Sequence, residues 1–305
     1  MGLSKKTVKF LSKKCTRSLE GMTVLITGAN SGVGYKTAEI LIYLGARVIM
    51  ACRSAEKANA AREKLLSEYP NADIRVMSLD ISDFDSIDKF ADKLPDVDVF
   101  INNAGVFMHP GETTKQGFDL VMGTNYIGVY YLSEKILPKL ARLGHNVAYI
   151  NTISIIHKVA KVRFDRFFSE KGAYSRSKLC LARYSEYLFR KYSGTNISVF
   201  MSHPGITITQ IASHVFGRIY FLAKIMPFNS TEKSSLSAAV ILAGDVPEGS
   251  VVGPGKLFGG WGYPKVNKKC KRALRDIDPL IEFTQNAVEK ANSGREAKTK
   301  AQVTE

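Results

Sequence analysis

The 305-residue chain lacks the cysteine and histidine spacings of a disulfide framework or a zinc site. Its five histidines show no HExxH or similar arrangement, and its cysteines form no CxxC pair. Structural zinc sites and redox motifs need such closely spaced pairs. We therefore predict no bound metal and reduced thiols at the four cysteines, which are Cys15, Cys52, Cys180 and Cys270.

Long apolar runs are also missing. The N-terminal segment MGLSKKTVKFLSKKC contains no stretch of about 7–15 consecutive apolar residues, which a secretory signal requires. A later apolar and aromatic segment, HVFGRIYFLAKIMPF at residues 214–228, is short and is interrupted by Arg218 and Lys224. We expect a cytoplasmic protein with no signal peptide and no transmembrane span.

Basic residues outnumber acidic ones at both ends of the chain. The formal net charge is +15, and residues 1–20 carry six Lys or Arg against one acid while residues 256–305 carry eleven against six. Nucleic-acid-binding proteins usually show a basic face with stacking aromatics, so this terminal excess predicts no nucleic-acid partner. Two interpretations of the basic N-terminus stay open: peripheral contact with an anionic membrane through Val8, Phe10 and Leu11, or simple solvation.

Six short apolar runs recur along the middle of the chain, and each is separated from the next by enough residues for a helix. Such alternation is typical of a parallel sheet covered on both faces. We predict an α/β fold with one doubly wound parallel sheet over residues 21–290, preceded by a basic extension at 1–20 and followed by a disordered tail at 291–305. The runs are MTVLITG, ARVIMACR, DIRVMSLD, VDVFINNAG, HNVAYINTIS and ISVFMSHPG.

A glycine-rich turn, TGANSGVG, follows the first apolar run and opens a helical segment. Glycines let the backbone approach a pyrophosphate closely, and a helix N-terminus offers unpaired N–H groups and the positive end of its dipole. The pattern favours dinucleotide binding, and a plain tight connection is the alternative. The candidate contacts are Gly28, Asn30, Ser31, Gly32, Val33 and Gly34.

The second apolar run ends in Ala51, Cys52 and Arg53, without a carboxylate. Sites that prefer NAD usually carry an acid here for the ribose hydroxyls, whereas a guanidinium pairs with a 2′-phosphate. NADP(H) is therefore the expected cofactor, preferred over NAD(H), unless Arg53 is only solvated. Further candidates are Asp80, for the adenine amino group, and three residues of NNAG, which are Asn102, Ala104 and Gly105.

GAYSRSKLC places Tyr174 four residues before Lys178, on one face of a predicted helix. A nearby ammonium, together with the positive nicotinamide of an oxidised cofactor, lowers the pKa of a phenol, so this pair can transfer a proton. The spacing alone also fits an ordinary surface pair. Ser154 follows the fifth run, where a turn serine is the alternative, and Asn125 lies in a helical segment, where a helix-bend residue is the alternative.

Taken together, TGANSGVG, NNAG, Asn125, Ser154, YSRSK and HPG resemble the short-chain dehydrogenase/reductase family in order and approximate spacing, over about residues 20–260. The chain is most similar to the NADP-linked retinol dehydrogenase-like branch, which shares ACR after the second strand and a long interval from serine to tyrosine. The segment NTIS departs from relatives that have two adjacent serines, because Ile153 replaces the first.

The resemblance implies a single Rossmann-like domain in which Tyr174 is the general acid/base. It implies that Lys178 holds the nicotinamide ribose and tunes Tyr174, that Ser154 bonds the substrate oxygen, and that Asn125 anchors a proton-relay water. It also implies that Pro204, Gly205 and either Thr207 or Thr209 border the nicotinamide end of the cofactor.

These expectations together predict an NADP(H)-dependent oxidoreductase that interconverts an alcohol and a ketone or aldehyde. The resemblance also implies that residues 214–228 cap the substrate. Their composition favours a lipophilic substrate and contact with a membrane surface. An ordinary lid helix buried against the domain or a dimer partner explains the same composition equally well. Homo-oligomer formation is left open. The alternative function is a non-catalytic NADP(H)-binding sensor or scaffold.

Overall fold

The structure, a computed structural model, describes residues 2–206, 229–256 and 259–303, and side chains as far as residue 297. The six apolar runs form six strands, as predicted: β1 Thr23–Thr27, β2 Arg47–Cys52, β3 Ile74–Ser78, β4 Val99–Asn102, β5 Val147–Thr152 and β6 Ile197–Ser202. Two further strands follow, β7 Val251–Lys256 and β8 Trp261–Asn267.

The eight strands form one sheet in the order β3-β2-β1-β4-β5-β6-β7-β8. All neighbours are parallel except β7 and β8. The chain winds outward in one direction from β1 to β3 and in the other from β4 to β6. The predicted doubly wound parallel sheet is therefore confirmed, and its switch point lies between β1 and β4.

Helices cover both faces of the sheet. Leu25 of β1 packs into one apolar core while its neighbours Val24 and Ile26 pack into the other, which explains why this strand is apolar without alternation. The helices are α1 Lys5–Lys14, α2 Gly32–Tyr43, α3 Ala55–Glu68, α4 Phe84–Lys93, α5 Leu120–Met122, α6 Gly128–Leu140, α7 Ala173–Lys191, α8 Thr231–Ser234, α9 Leu236–Ala243 and α10 Ile277–Val303. The first core also contains residues of α4, α6, α7 and α10, and the second contains residues of α1, α2, α3 and α9.

The N-terminal residues pack against the domain. Leu11 is buried in the second core, and the ring of Phe10 stacks on Tyr263 at a centroid distance of 4.6 Å. The backbone N–H and the hydroxyl of Ser4 both donate to Glu232 Oε1, at 3.0 and 2.7 Å. Phe10 and Leu11, which the sequence suggests as membrane contacts, thus pack against the protein instead.

The C-terminal segment differs from the sequence expectation. A disordered tail is predicted from Ala291, whereas α10 continues to Val303. Arg295 gives a physical reason, because its guanidinium pairs with Asp85 at 3.2 Å and with Asp88 at 2.9 Å, both on α4. Such a pairing with a distant helix leaves no periodic signal in the local sequence.

No helix in the described parts of the chain combines the length and the apolar character that crossing a bilayer requires.

Candidate active site

A cleft of about 1310 Å³ runs along the carboxyl ends of the parallel strands, where ligands of open α/β sheets bind. Its volume exceeds the ~300–1,000 Å³ typical of small-molecule pockets, so a dinucleotide and a second molecule both have room. Most of the candidate residues line it. They are Gly28, Asn30, Ser31, Gly32, Val33, Gly34, Arg53, Asp80, Ala104, Gly105, Ser154, Tyr174, Lys178, Pro204 and Gly205.

The glycine-rich turn forms one floor of the cleft. Gly28 has a φ of 66°, and a Cβ there would lie 2.9 Å from Cα of Ala104, so a side chain is excluded by both conformation and space. A Cβ on Gly34 would collide with the Asn103 amide and the Gly28 carbonyl. Helix α2 starts directly after Ser31, whose side chain makes no capping hydrogen bond. The N–H groups of its first turn are therefore left for an anionic ligand.

Two charged residues lie on the cleft where the strands β2 and β3 end. Arg53 is exposed immediately after β2. Asp80 follows β3, and its Oδ1 accepts hydrogen bonds from the backbone N–H and the hydroxyl of Ser82, at 2.9 and 2.6 Å. The position of Arg53 fits the 2′-phosphate of an NADP-type dinucleotide, and the fixed carboxylate of Asp80 fits an amino donor.

Asn102 is a correction to the sequence analysis. It is the last residue of β4 and is 2% exposed, and its Nδ2 donates to the Tyr149 hydroxyl at 2.8 Å, so it lies in the core and does not line the cleft. The next residue, Asn103, does line it and donates from Nδ2 to the carbonyl oxygen of Thr27 at 2.9 Å. Successive strand residues point to opposite faces, so a shift of one position exchanges the two asparagines.

Helix α7 carries Tyr174 and Lys178 on one wall of the cleft. It begins after Gly172, whose φ of 75° is accessible to glycine at little cost. Lys178 Nζ lies 6.0 Å from the centroid of the Tyr174 ring and donates to the carbonyl oxygen of Thr152 at 2.9 Å. The residues four apart therefore share a face, as predicted, and the lysine is also held by the end of β5.

Burial dominates the proton affinities of this pair. It lowers the pKa of the Lys178 ammonium to about 8, and it raises the pKa of the Tyr174 phenol. A hydrogen bond with the Ser154 hydroxyl acts on Tyr174 in the opposite direction. Burial thus favours the neutral phenol, and the lowering expected beside an oxidised nicotinamide stays a prediction.

Asn125 lies beneath the cleft, fully buried. Its Oδ1 accepts from the backbone N–H of Val106 at 2.7 Å, and its Nδ2 donates to the Val106 carbonyl oxygen at 2.8 Å and to Ser177 Oγ at 3.3 Å. It sits in a π-helical turn, Gly123–Ile127, between α5 and α6. Such turns are frequent at functional sites, and this one directs the amide to the chain segment that leaves β4.

Comparison with known proteins identifies the family. The sequence profile of the family described as short chain dehydrogenase matches residues 22–218. The chain belongs to the short-chain dehydrogenase family. Human retinol dehydrogenase 13 is 35% identical over 207 residues, which are 65% of this chain and 62% of that protein. Human retinol dehydrogenase 12 is 31% identical over 269 residues, which are 83% of this chain and 84% of that protein. The alignment with retinol dehydrogenase 13 thus spans less than two thirds of its length.

Solved structures support the same fold. An uncharacterized protein from Mycobacterium paratuberculosis is 28% identical, with a TM-score of 0.74 over 90% of this chain and 96% of the other. A short chain dehydrogenase from Shigella flexneri, crystallised with NADP, is 22% identical, with a TM-score of 0.61 over 75% of this chain and 94% of the other. At that identity the second likeness concerns the fold alone.

Three walls of the cleft in this short-chain dehydrogenase, called the far walls below, were not predicted from the sequence. They are formed by residues 106–110 after β4, residues 153–156 after β5 and residues 170–173 before Tyr174. Glu170 Oε1 accepts a hydrogen bond from the backbone N–H of Gly111 at 2.8 Å and so joins two of these walls. The long interval between Ser154 and Tyr174 was the available signal for a substrate loop.

Some candidates cannot be placed. Thr207, Thr209 and the segment 214–228 lie outside the residues that the structure describes. Their expected roles at the nicotinamide end and over the substrate stay predictions.

Proposed function

We propose that the chain is an NADP(H)-dependent oxidoreductase that interconverts a lipophilic alcohol and the corresponding ketone or aldehyde. The observation that carries the proposal is that Ser154, Tyr174 and the buried Lys178 all line one cleft, which also contains a glycine-rich loop at a helix N-terminus. These are the parts that a proton donor, a polarising group and a dinucleotide site require.

A bound nicotinamide dinucleotide would supply hydride to a carbonyl carbon, or accept it from a carbinol carbon. The chain's own residues would hold it through the backbone of residues 28–34, the N-terminus of α2 and Arg53. The donor set fits this group, because the uncapped first turn of α2 and the exposed guanidinium face the same cleft. Asp80 would accept from the adenine amino group.

Tyr174 would then exchange the proton of the substrate oxygen. The burial that raises its pKa keeps the phenol protonated at neutral pH, which suits donation to a developing alkoxide. Ser154 would donate a second hydrogen bond to the same oxygen. Lys178, held by the Thr152 carbonyl, would fix the ribose and place a positive charge near the phenol, while Asn125 would keep the segment after β4 in place and anchor a relay water.

The composition of the far walls supports a lipophilic substrate. The residues there are mostly apolar, and Met108 is 61% exposed and Ile156 36% exposed. Exposed apolar side chains around a concave site favour a ligand that covers them. The apolar residues that line the cleft here and beside it are Val106, Phe107, Met108, Pro110, Ile153, Ile155, Ile156 and Ile206, of which Ile153 is buried.

Titration of NADPH and NADH, followed by nicotinamide fluorescence, tests the cofactor. We expect NADPH to bind more tightly and Arg53→Glu to weaken NADPH binding about 10–100-fold, since hydrogen bonds to charged groups contribute about 1.5–3 kcal/mol. NADH affinity should change much less. Arg75→Glu, an exposed arginine in β3 outside the cleft, makes the same charge change and should leave both affinities unaltered.

Equal affinities of the wild type for NADPH and NADH would contradict the predicted preference. A panel of carbonyl substrates then tests the chemistry. Tight NADPH binding without turnover on any of them would favour a sensor or scaffold instead of an enzyme.

Peripheral membrane contact, if it occurs, should be electrostatic, because α1 packs Leu11 and Phe10 inward and leaves exposed lysines outward. Binding to anionic vesicles should then exceed binding to neutral vesicles and should disappear at about 1 M salt. Flotation with the wild type and with Lys5, Lys9 and Lys13 all changed to Glu measures this. Salt-resistant binding that survives these changes would contradict it.

A further inference from the structure

Arg176 is a buried arginine two residues after Tyr174, at 8% exposure. Its Nε donates to the carbonyl oxygen of Phe167 at 2.9 Å, and its two terminal nitrogens donate to the carbonyl oxygens of Lys171, at 3.2 Å, and Ser169. One guanidinium thus binds three carbonyl groups of a single loop, at every second residue from 167 to 171.

This arrangement places Arg176 behind the cleft. Residues on a helix are rotated by about 100° each, so Arg176 lies about 200° from Tyr174 while Lys178 lies only about 40° from it. Arg176 is accordingly absent from the residues that line the cleft, whereas Tyr174 and Lys178 are among them. It reaches the cleft wall only through the backbone carbonyl of Lys171.

The loop that Arg176 holds is part of the cleft wall. The backbone from Glu170 to Tyr174 lines the cleft, and the Glu170 carboxylate reaches across to the backbone N–H of Gly111, on the segment that follows β4. At its other end the loop is packed through Phe167, which is buried and contacts the ring of Phe283 at 4.7 Å. The guanidinium therefore fixes the stretch between a packed aromatic anchor and the opposite wall.

Arginine is suited to this task and lysine is not. A planar guanidinium presents five N–H donors in a fixed fork, whereas an ammonium is a point charge on a flexible stem. Lys at this position would keep the charge but could not address three carbonyl groups in one plane at once. The loop would then be free to shift relative to α7.

We propose that Arg176 is a positioning residue that sets the width of the substrate half of the cleft and thereby its preference for large over small carbonyl compounds. The inference rests on the proposed function, since it assigns the substrate preference of that same site.

Steady-state kinetics with a long-chain and a short-chain aldehyde test it. We expect Arg176→Lys to lower the ratio of their kcat/KM values about tenfold, mainly through KM for the long substrate, and to change NADPH affinity less than twofold. Arg166→Lys, at an exposed arginine in the same loop, should leave both quantities unchanged. A general loss of folding would instead reduce NADPH binding and both activities together.

Limited trypsin digestion gives a second readout that does not depend on activity. Arg176→Lys should speed cleavage at Lys161, Arg163, Arg166 and Lys171. If the wild type turns over no carbonyl compound, the proposed function is refuted, but faster digestion of the variant would still support the role of Arg176 in holding the loop. Unchanged substrate ratio and unchanged digestion overturn the inference. If Arg176→Lys does not fold, Glu170→Ala replaces it, because it cuts the link to Gly111 at the surface; an unchanged ratio and digestion rate in that variant overturn the inference equally.

Discussion

Replacing Tyr174 by phenylalanine is expected to lower kcat/KM for carbonyl reduction about 10³-fold and to leave NADPH affinity within about twofold. Proton transfer by a positioned side chain contributes about 10²–10⁴-fold, and the phenolic hydroxyl is the group placed for it. The substitution removes the hydroxyl but keeps the ring, which packs edge-on against Phe107 at a centroid distance of 4.7 Å. The loss should therefore concern chemistry and not folding.

Single-turnover oxidation of bound NADPH measures the chemical step directly. Tyr187→Phe is the matched control, because Tyr187 lies on the same helix, stacks on Tyr184 and is absent from the cleft lining. It should retain wild-type rates. A loss of less than tenfold in Tyr174→Phe would remove Tyr174 from its proposed role as the acid.

Ser154→Ala, alone and combined with Tyr174→Phe, refines the same prediction. Residues that act on one substrate oxygen are not additive, so the double variant should be little worse than Tyr174→Phe alone. Additive losses would mean that the two hydroxyls act independently.

The sheet was predictable because five of its first six strands, all except the edge strand β3, are buried on both faces. In β4, for example, Phe100 packs into one core while Val99 and Ile101 pack into the other, which leaves an uninterrupted apolar run in the sequence. The hairpin β7–β8 gave no such signal. It contains glycines and prolines, with Pro254 opposite Pro264, and the sequence indicates a turn there. Pro264 is tolerated because β8 is an edge strand, and Pro254 lies beyond the two residues of β7, Val251 and Val252, that pair with β6.

The candidate site could be predicted where the backbone conformation restricts the residue type. It could not be predicted where tertiary contacts decide which side chain lines the cleft. Gly28 and Gly34 are required by close backbone approach, so they mark the loop in any sequence. The choice between Asn102 and Asn103 depends on the residue at which β4 ends, and a strand pattern does not fix its end to one residue. The direction of the pKa change at Tyr174 depends on its burial among distant residues.

Lys178→Met is expected to have opposite effects on activity and on stability. Lys178 is 5% exposed, its ammonium has no carboxylate among its described hydrogen-bond partners, and burial lowers its pKa from 10.5 to about 8. At about 1.4 kcal/mol per pKa unit, the charged form costs the folded state up to about 3 kcal/mol at pH 7. Methionine avoids that cost but leaves the Thr152 carbonyl unpaired, for about 1 kcal/mol or more.

The net expectation at pH 7 is a gain of about 1–2 kcal/mol in the free energy of unfolding, with kcat/KM lowered at least about 10²-fold, since a single fixed donor to a reacting complex is worth that much. Urea unfolding and steady-state kinetics measure the two effects. Lys93→Met, at an exposed lysine of α4, should change neither. A variant that is both inactive and less stable would show that Lys178 stabilises the fold and that other interactions offset the free-energy cost of burying its charge.

The pH dependence of stability distinguishes the effect of the Lys178 charge from the effect of its packing. Below the folded pKa of about 8, Lys178 is charged in both states, so the cost of burying it is fully present. Between that value and 10.5 the unfolded chain keeps the proton while the folded protein loses it, so wild-type stability attributable to this group rises with pH across the window. Above 10.5 both states are neutral and the advantage of methionine should vanish. A lysine that destabilises the protein at neutral pH is hard to explain by folding. A stability advantage of Lys178→Met that disappears at high pH would therefore point to selection of Lys178 for its charge in the bound complex.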